Sequence, residues 1–208
     1  ILDCPNFTPT DVEIEDCPPG RYCNANDFVS QVIGEFCPAG TFVQATGSSD
    51  ISSCTDCSAN YYCDEPGSTT ATPTDKICAD GYTCPAGSFY DKPVDCQPGR
   101  FCIAGVEQLC SAGSWNSNYN QKECEPCPRG FLCNSTGITE MNSQLRCPPG
   151  HYCPEGSASA QPCSAGTIRR TSGAGSKDDC LPCSAGFYCE VASVTETGNC
   201  DEGYYCPS

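Results

Sequence analysis

The chain has 208 residues, of which 29 are Leu, Ile, Val or Phe and 23 are Cys. Large apolar side chains therefore fall below the roughly 20% that marks an ordinary globular sequence, and burial of so few cannot offset the entropy lost on folding. The cysteine content instead predicts a scaffold held together by disulfides. The net charge of −16 argues against a nucleic-acid partner, because no basic stripe is present to neutralise phosphates.

The compartment also follows from the cysteines. Disulfides at this density persist only in an oxidising environment, so we expect a secreted protein that is extracellular or on the cell surface. The sequence starts at Ile1 and contains no run of about 18 apolar residues, which predicts a processed chain or fragment without direct membrane insertion. Sequons at Asn6 and Asn134 predict attached N-glycans.

The first segment of the chain is acidic. Residues 11–16, "DVEIED", contain Asp11, Glu13, Glu15 and Asp16. Clustered carboxylates can bind Ca²⁺, but the ligand spacing of an EF-hand is absent, so a solvated acidic surface is the preferred interpretation. Apart from this weak Ca²⁺ candidate we expect no cofactor and no metal site.

A cysteine repeat begins after this segment. Eight segments share the pattern Cys, two residues, a turn residue, two residues, Cys: 17–23, 57–63, 78–84, 96–102, 127–133, 147–153, 183–189 and 200–206. Gly at the turn position tolerates positive φ, and Asn60, which replaces Gly in one copy, is the next-best residue there. The pattern therefore predicts a chain reversal after each opening cysteine.

A second type of segment lacks the closing cysteine. It begins at Cys37, Cys84, Cys110 and Cys163 with "CPAG" or "CSAG". CxxC pairs at Cys54/Cys57, Cys124/Cys127 and Cys180/Cys183 then complete a six-cysteine frame that occurs three times. We therefore divide the chain into a degenerate repeat or linker (1–16), repeat 1 (17–77), an extra half-repeat (78–95), repeat 2 (96–146), repeat 3 (147–199) and the start of a further repeat (200–208).

The loops between cysteines are rich in Ser, Thr, Gly and Ala and show no helical period. Hydrophobic alternation extends over only three or four residues. The predicted fold is accordingly an elongated rod of small disulfide-rich repeats, built from short β-hairpins and irregular loops with little or no helix.

Three chemical interpretations of the cysteines and the histidine are disfavoured. Zinc binding requires a second close ligand pair, yet the CxxC pairs are far apart and His151 is the only histidine. Thioredoxin-type chemistry needs CxxC at a helix N-terminus, and no helix can be drawn here. His151 occupies a variable turn position, and no partner for a catalytic triad is evident. We therefore expect no catalytic residues and no enzymatic activity.

The alternation of "CPPGHYCPEGS" with "CSAGTIRRTSGAGSKDDCLPCSAGFYC" resembles the ephrin-receptor-like (GCC-type) cysteine-rich repeat and, more loosely, the cysteine-rich domains of tumour necrosis factor receptors. Long arrays of this kind resemble those of algal and protist surface proteins, including mastigoneme (flagellar hair) proteins. The resemblance implies the pairs Cys37–Cys54, Cys110–Cys124 and Cys163–Cys180, whereas spacing alone leaves connectivity open. Cys4 then lacks a partner and is free, bridged to another chain, or paired outside this sequence.

These features lead to two functional expectations. The preferred one is a structural, non-enzymatic segment of an extracellular filament, appendage or cell-surface coat. Its partners are copies of itself or other extracellular structural proteins, with lateral contacts through exposed aromatic residues such as Phe89, Trp115 and Tyr119. The alternative is the ectodomain stalk of a receptor or adhesion protein that binds a protein or glycan.

Overall fold

The computed structural model describes residues 16–23, 34–201 and 206. Its regular structure consists of short strands and three 3₁₀ turns, and the described residues include no α-helix. The strands are β1 (Arg21–Tyr22), β2 (Glu35–Phe36), β3 (Thr41–Phe42), β4 (Thr55–Asp56), β5 (Tyr82–Thr83), β6 (Val94–Asp95), β7 (Arg100–Ile103), β8 (Val106–Leu109), β9 (Ser114–Trp115), β10 (Glu125–Pro126), β11 (His151–Tyr152), β12 (Gln161–Pro162), β13 (Thr167–Ile168), β14 (Leu181–Pro182), β15 (Phe187–Tyr188) and β16 (Gly198–Asn199). The 3₁₀ turns are Ile51–Ser53, Ser143–Leu145 and Lys177–Asp179.

Every strand belongs to a two-stranded antiparallel hairpin. In each hairpin the first strand follows a turn residue and the second precedes the next opening cysteine, as in β1–β2, where Arg21 is opposite Phe36. Single bridges between Tyr61 and Ile77 and between Phe131 and Arg146 complete the series. Together with eleven disulfides, these hairpins confirm the predicted fold class of small disulfide-rich β-hairpin repeats.

The repeating unit is one hairpin with its opening cysteine, and we call this unit a rung. Backbone hydrogen bonds join each rung to the next. Cys147 N–H donates to Gly130 O (2.8 Å), and Gly130 N–H donates to Cys153 O (2.9 Å). Because both polar groups of the turn residue bond to the following rung, the array satisfies its own backbone without a conventional sheet.

A second pair of hydrogen bonds involves a residue six or seven positions after each turn residue, which we call the cover residue. Gly156 is the cover residue of the rung that opens at Cys147. Its N–H donates to Cys127 O in the preceding rung (2.8 Å), and Cys133 N–H donates to Ser157 O (3.0 Å). These two rungs therefore share four backbone hydrogen bonds, and the arrangement recurs between other successive rungs, such as those that open at Cys37 and Cys57.

The turn glycines are required for a steric reason as well as a conformational one. Gly130 has φ 81°, and a Cβ atom there would lie 2.7 Å from the carbonyl oxygen of Gly173, the cover residue two rungs further on. At Gly40 the corresponding distance to Gly87 O is 2.4 Å. At these two positions the rung therefore lies close to backbone atoms of the second rung further along the chain.

Cysteine forms most of the apolar interior. Among the described residues, 18 of the 22 buried hydrophobic residues are cysteines, and the others are Val43, Ile138, Ala174 and Ile168. Small clusters form around the disulfides, such as the one in which Ile138 packs with Cys127 and Cys133. Sulfur therefore replaces the missing aliphatic core.

The contacts divide the chain into two compact units. One comprises Ile1–Cys78 with Cys84–Pro93, and the other comprises Ala79–Thr83 with Val94–Ser208. The rung hydrogen bonds occur in both units. For example, Cys57 N–H donates to Gly40 O in the first unit, and Cys183 N–H donates to Gly166 O in the second.

One segment does not have the role predicted from its sequence. "CPAG" at 84–87 matches the rung motif, but Cys84 closes the disulfide from Cys78. Gly87 is a cover residue, since its N–H donates to Cys57 O. The expectation that a second-type segment opens at Cys84 is therefore wrong, because long-range hydrogen bonds rather than the local motif assign the role.

Candidate interaction surfaces

The cysteines form a ladder of bridges and provide no reactive thiol among the described residues. Eight disulfides join cysteines six residues apart within one rung, and the longer ones are Cys37–Cys54, Cys110–Cys124 and Cys163–Cys180. These three are the pairs that the family resemblance implies. In each CxxC, the first cysteine closes the preceding long loop and the second opens the next rung.

The rungs that lack a closing cysteine show what takes its place. Val43, Asn116 and Arg169 occupy the third position after the turn residue, where the other rungs have Cys. Asn116 is buried, and its side-chain nitrogen donates to Arg100 O (2.7 Å) while its side-chain oxygen accepts from Asn118 N–H (2.8 Å). A buried amide therefore replaces the bridge by satisfying backbone groups.

Among the described residues, the structure locates one group of potential metal ligands and the single histidine of the chain. Cys96, Cys102 and Glu107 have potential ligand atoms close together, but the two sulfurs form a disulfide and Glu107 pairs with Arg100 (2.9 Å). His151 is half-buried, with Nδ1 3.1 Å from Pro149 O. A disulfide offers no thiolate to a metal, so Cys96 and Cys102 are not available as ligands beside Glu107.

The sequon at Asn134 lies on an accessible loop. Asn134, Ser135 and Thr136 are all exposed, immediately after the buried Cys133. A shallow open groove adjoins this loop and is lined by residues that include Thr136, Ile138, Glu140, Asn142, Gln144 and Leu145. Asn6, Cys4 and residues 11–15 of the proposed acidic Ca²⁺ segment lie outside the described residues, whereas Asp16 is described and exposed.

The aromatic residues differ in their accessibility. Phe89 is 57% exposed and Tyr119 is 54% exposed, so both are available for contacts. Trp115, in contrast, is partly buried against the cluster of Cys127, Cys133 and Ile138. The expectation that Trp115 is an exposed aromatic is therefore wrong, because its ring packs against the small core of the following rung.

Three cations are paired at the surface. Lys76 contacts Asp64 (2.9 Å), Arg100 contacts Glu107 (2.9 Å), and Arg170 contacts Glu196. Hydrogen bonds from Arg170 and Ser184 to the exposed carboxylate lower the pKa of Glu196 from 4.5 to about 2. The Lys76 ammonium similarly lowers the pKa of Asp64.

Three arginines form a different group around one loop. Arg129 Nε donates to Gly175 O (3.5 Å), and Arg169 Nε donates to Thr171 O (2.9 Å). The Arg146 guanidinium lies against Gly173, 3.5 Å from the position that a Cβ atom would take. Of the ion pairs within the described part of the chain, none includes these three arginines.

A carboxylate lies within this loop but is used by the backbone. Asp179 accepts N–H bonds from Gly175 (2.7 Å) and Ser176 (3.0 Å). These bonds, aided by the charges of Arg169 and Arg129, lower the pKa of Asp179. The acid therefore shapes the loop and leaves the guanidinium groups without a close ion-pair partner.

Comparison with known proteins gives two partial similarities. The chain is 31% identical over 91 residues to the ABC-type transporter claG of Penicillium crustosum, which covers 42% of this chain and 11% of that protein. It is 28% identical over 137 residues to Cysteine repeat modular protein A of Toxoplasma gondii, which covers 59% of this chain and 4% of that protein. No family model matches the chain.

The second similarity supports the description of the chain as a cysteine-rich repeat protein. The matched segments span only a small part of the length of either relative. Dense disulfides suit an extracellular structural or surface protein. Within the described residues, no helix has the length and apolarity needed to cross a membrane.

Proposed function

We propose that the chain is a structural, non-enzymatic segment of an extracellular filament, appendage or cell-surface coat, built as a disulfide-laddered rod. The observation that carries this proposal is the recurrence of the same backbone hydrogen bonds between successive rungs, as at Gly40, Gly130 and Gly166. A repeat that bonds mainly to its neighbours can be multiplied without changing the unit, which is the property that a fibrous segment needs.

The disulfides support a mechanical role. A bridge such as Cys127–Cys133 closes a loop of six residues, and Cys163–Cys180 closes one of seventeen. Covalent closure limits how far the chain can lengthen under load, because only the residues between bridges can extend. Local cross-links also keep each rung folded when a neighbouring one opens.

The surface supports an extracellular setting. We propose that Asn134 carries an N-glycan, since the acceptor and the sequon hydroxyl of Thr136 are both exposed. Copies of the chain or other extracellular structural proteins are the proposed partners, with Phe89 and Tyr119 among the contact residues. The kinship with ephrin-receptor-like repeats and mastigoneme proteins belongs to the same proposal and is supported by the cysteine motifs.

Electron microscopy of the purified native protein tests this function. Ordered polymers with a regular axial repeat are the expected result at high protein concentration and physiological salt. Isolated monomeric rods under all conditions would exclude the filament proposal. A reduced and alkylated sample is the control, since polymers built from the folded repeats should be absent from it.

A second candidate is the stalk of a receptor or adhesion ectodomain. It is favoured by the small share of each relative that the chain covers, 11% and 4%, since such a module separates other parts of a long protein. Isolated rods that bind a protein or glycan through their loops would support this candidate. The same microscopy experiment, combined with binding assays, distinguishes the two.

A further inference from the structure

Charge is distributed unevenly along the sequence. Residues 127–180 contain five of the ten Lys and Arg residues but only four of the 26 Asp and Glu residues. Residues 34–78 contain six Asp and Glu residues and one Lys residue. A strongly acidic chain therefore has one region with a slight excess of positive charge.

The three arginines that form no ion pair with a described residue lie within this region. Arg129 and Arg146 belong to the hairpin that opens at Cys127, Arg169 belongs to the one that opens at Cys163, and all three converge on the loop 171–179. In a chain with 26 carboxylates, Arg170 is paired with Glu196 whereas these three guanidiniums have no carboxylate within 4.0 Å among the described residues. We call the surface formed by Arg129, Arg146, Arg169 and the loop 171–179 the arginine surface.

The arginine surface is held in place by the backbone. Gly173 N–H donates to Cys147 O (2.8 Å), and Cys153 N–H donates to Ala174 O (2.9 Å), which fixes the loop on the rung beneath it. Arg169 also donates from NH1 to Asp179 O (3.4 Å). Guanidinium groups that are already oriented lose less entropy when they bind a carboxylate.

The arginine surface also contains other charged and polar groups. Thr171 and Ser172 are exposed and offer hydroxyl donors beside the guanidiniums. Lys177 adds a positive charge, and Asp178 is an exposed acid at the far end of the loop. The side chains of the arginine surface therefore offer more hydrogen-bond donors than free acceptors, which suits a partner that presents several carboxylates.

We propose that the arginine surface of one copy docks on the acidic rungs of a second copy, residues 34–78, and so joins copies through a heterologous contact. Exposed carboxylates on those rungs include Asp56, Glu65 and Asp75. A contact between two different surfaces of the same chain leaves one of each free at the ends, so it propagates into a polymer. This inference rests on the proposed filament function and names its contact.

Salt should have two opposing effects on this contact. A net charge of −16 makes copies repel one another at low ionic strength. At about 0.15 M salt the Debye length is about 8 Å, so distant charges are screened while groups that touch still attract. Self-association is therefore strongest at intermediate salt and weaker at both extremes.

Sedimentation equilibrium of the folded chain across a salt series is the test. The double variant Arg129→Gln/Arg146→Gln removes two charges and leaves Arg169, which bonds to two backbone carbonyls, in place. We expect its association constant to fall by about tenfold or more, as for truncation of interfacial charges. The matched control Arg170→Gln/Lys122→Gln makes the same change in net charge outside the arginine surface and should retain the association constant.

Each outcome decides a separate question. Equal association by the double variant and the control would overturn the proposed contact, even if filaments form by microscopy. Arginine-dependent association without ordered polymers would support the contact and exclude the filament function. A wild-type chain that stays monomeric at every salt concentration but binds a sulfated polysaccharide through Arg129 and Arg146 would also overturn it, and would assign the surface to a polyanionic glycan.

Discussion

At the scale of single residues, two separate features restrict the side chain at a turn position. One is the backbone conformation, and the other is the free space at the Cβ position. Asn60 adopts φ 73° at a turn position, so a side chain is compatible with the backbone there. At Gly130 the carbonyl of Gly173 occupies the space that a side chain needs. The positive φ is therefore a general requirement, while the exclusion of Cβ depends on a rung two positions away.

This difference predicts unequal effects of the same substitution. Gly130→Ala and Gly166→Ala incur a similar backbone cost of about 1–2 kcal/mol for a left-handed conformation. Gly130→Ala should cost roughly 2 kcal/mol more, because its Cβ atom must displace Gly173, whereas nothing lies within 4 Å of the Cβ position at Gly166. Hydrogen exchange of the Cys147 and Cys183 amides, which bond to these glycines, measures both effects. Equal loss of protection would contradict the steric argument.

A titration prediction concerns Glu196. Its pKa is lowered to about 2 in the folded chain, so the interaction is fully present above pH 4.5 and is lost as the pH falls toward about 2. Arg170→Gln should raise the pKa of Glu196 toward its ordinary value, because the principal donor is removed. Carboxyl-carbon NMR titration gives the pKa directly. The control Arg129→Gln should leave it unchanged.

The structural role of a residue can be predicted from the sequence when that role depends on its neighbours along the chain. Gly40 and Asn60 were predictable as turn residues from the opening cysteine three positions earlier. Gly87 was not, because "CPAG" at 84–87 has the same letters as 37–40, yet Gly40 N–H donates to Cys63 O in the following rung whereas Gly87 N–H donates to Cys57 O in the preceding one. The two roles are distinguished only by partners that are distant in sequence.

At the scale of elements, the residue before each opening cysteine shows why proline is tolerated in a strand. Cys127 N–H donates to Gly113 O across the hairpin. Successive N–H groups of a strand point to opposite sides, so the N–H position of the preceding residue points away from the partner strand. Pro126 occupies this position in β10, and Pro162 and Pro182 do so in β12 and β14. Proline there costs no ladder hydrogen bond and blocks further pairing at the edge.

Each bridge should stabilise mainly its own rung. The double variant Cys163→Ala/Cys180→Ala removes the closure of a 17-residue loop and should lower local stability by about 3 kcal/mol. We expect rapid proteolysis within residues 164–179, while residues 57–63 stay protected because their hydrogen bonds lie in the other unit. Limited proteolysis with mass mapping provides the measurement. Simultaneous cleavage throughout the chain would contradict local stability.

The arginine surface could not be predicted from the sequence of any single element. Arg129, Arg146 and Arg169 are widely spaced in the chain and share no motif, so their convergence depends on the stacking of three rungs. The local excess of basic residues between 127 and 180 was visible in the composition. The absence of ion pairs among the described residues at these arginines required the structure.

At the scale of the whole molecule, the disulfides replace the hydrophobic effect as the main source of stability. The described residues bury Val43, Ile138, Ala174 and Ile168 beside 18 cysteines, so reduction removes the cross-links and leaves little apolar surface to drive folding. We therefore expect complete reduction to unfold the chain at 25 °C without denaturant. Trp115, which packs against Cys127 and Cys133, reports this as a red shift of its fluorescence.

The control for this experiment separates cross-linking from ordinary packing. Moderate urea without reductant should leave the Trp115 emission near its native position, because the bridge between Cys127 and Cys133 still confines the rung. Reductant without urea should give the emission of the unfolded chain. If urea alone shifted the Trp115 emission and reductant alone did not, Ile138 and its apolar neighbours, rather than the disulfides, would hold this part of the molecule together.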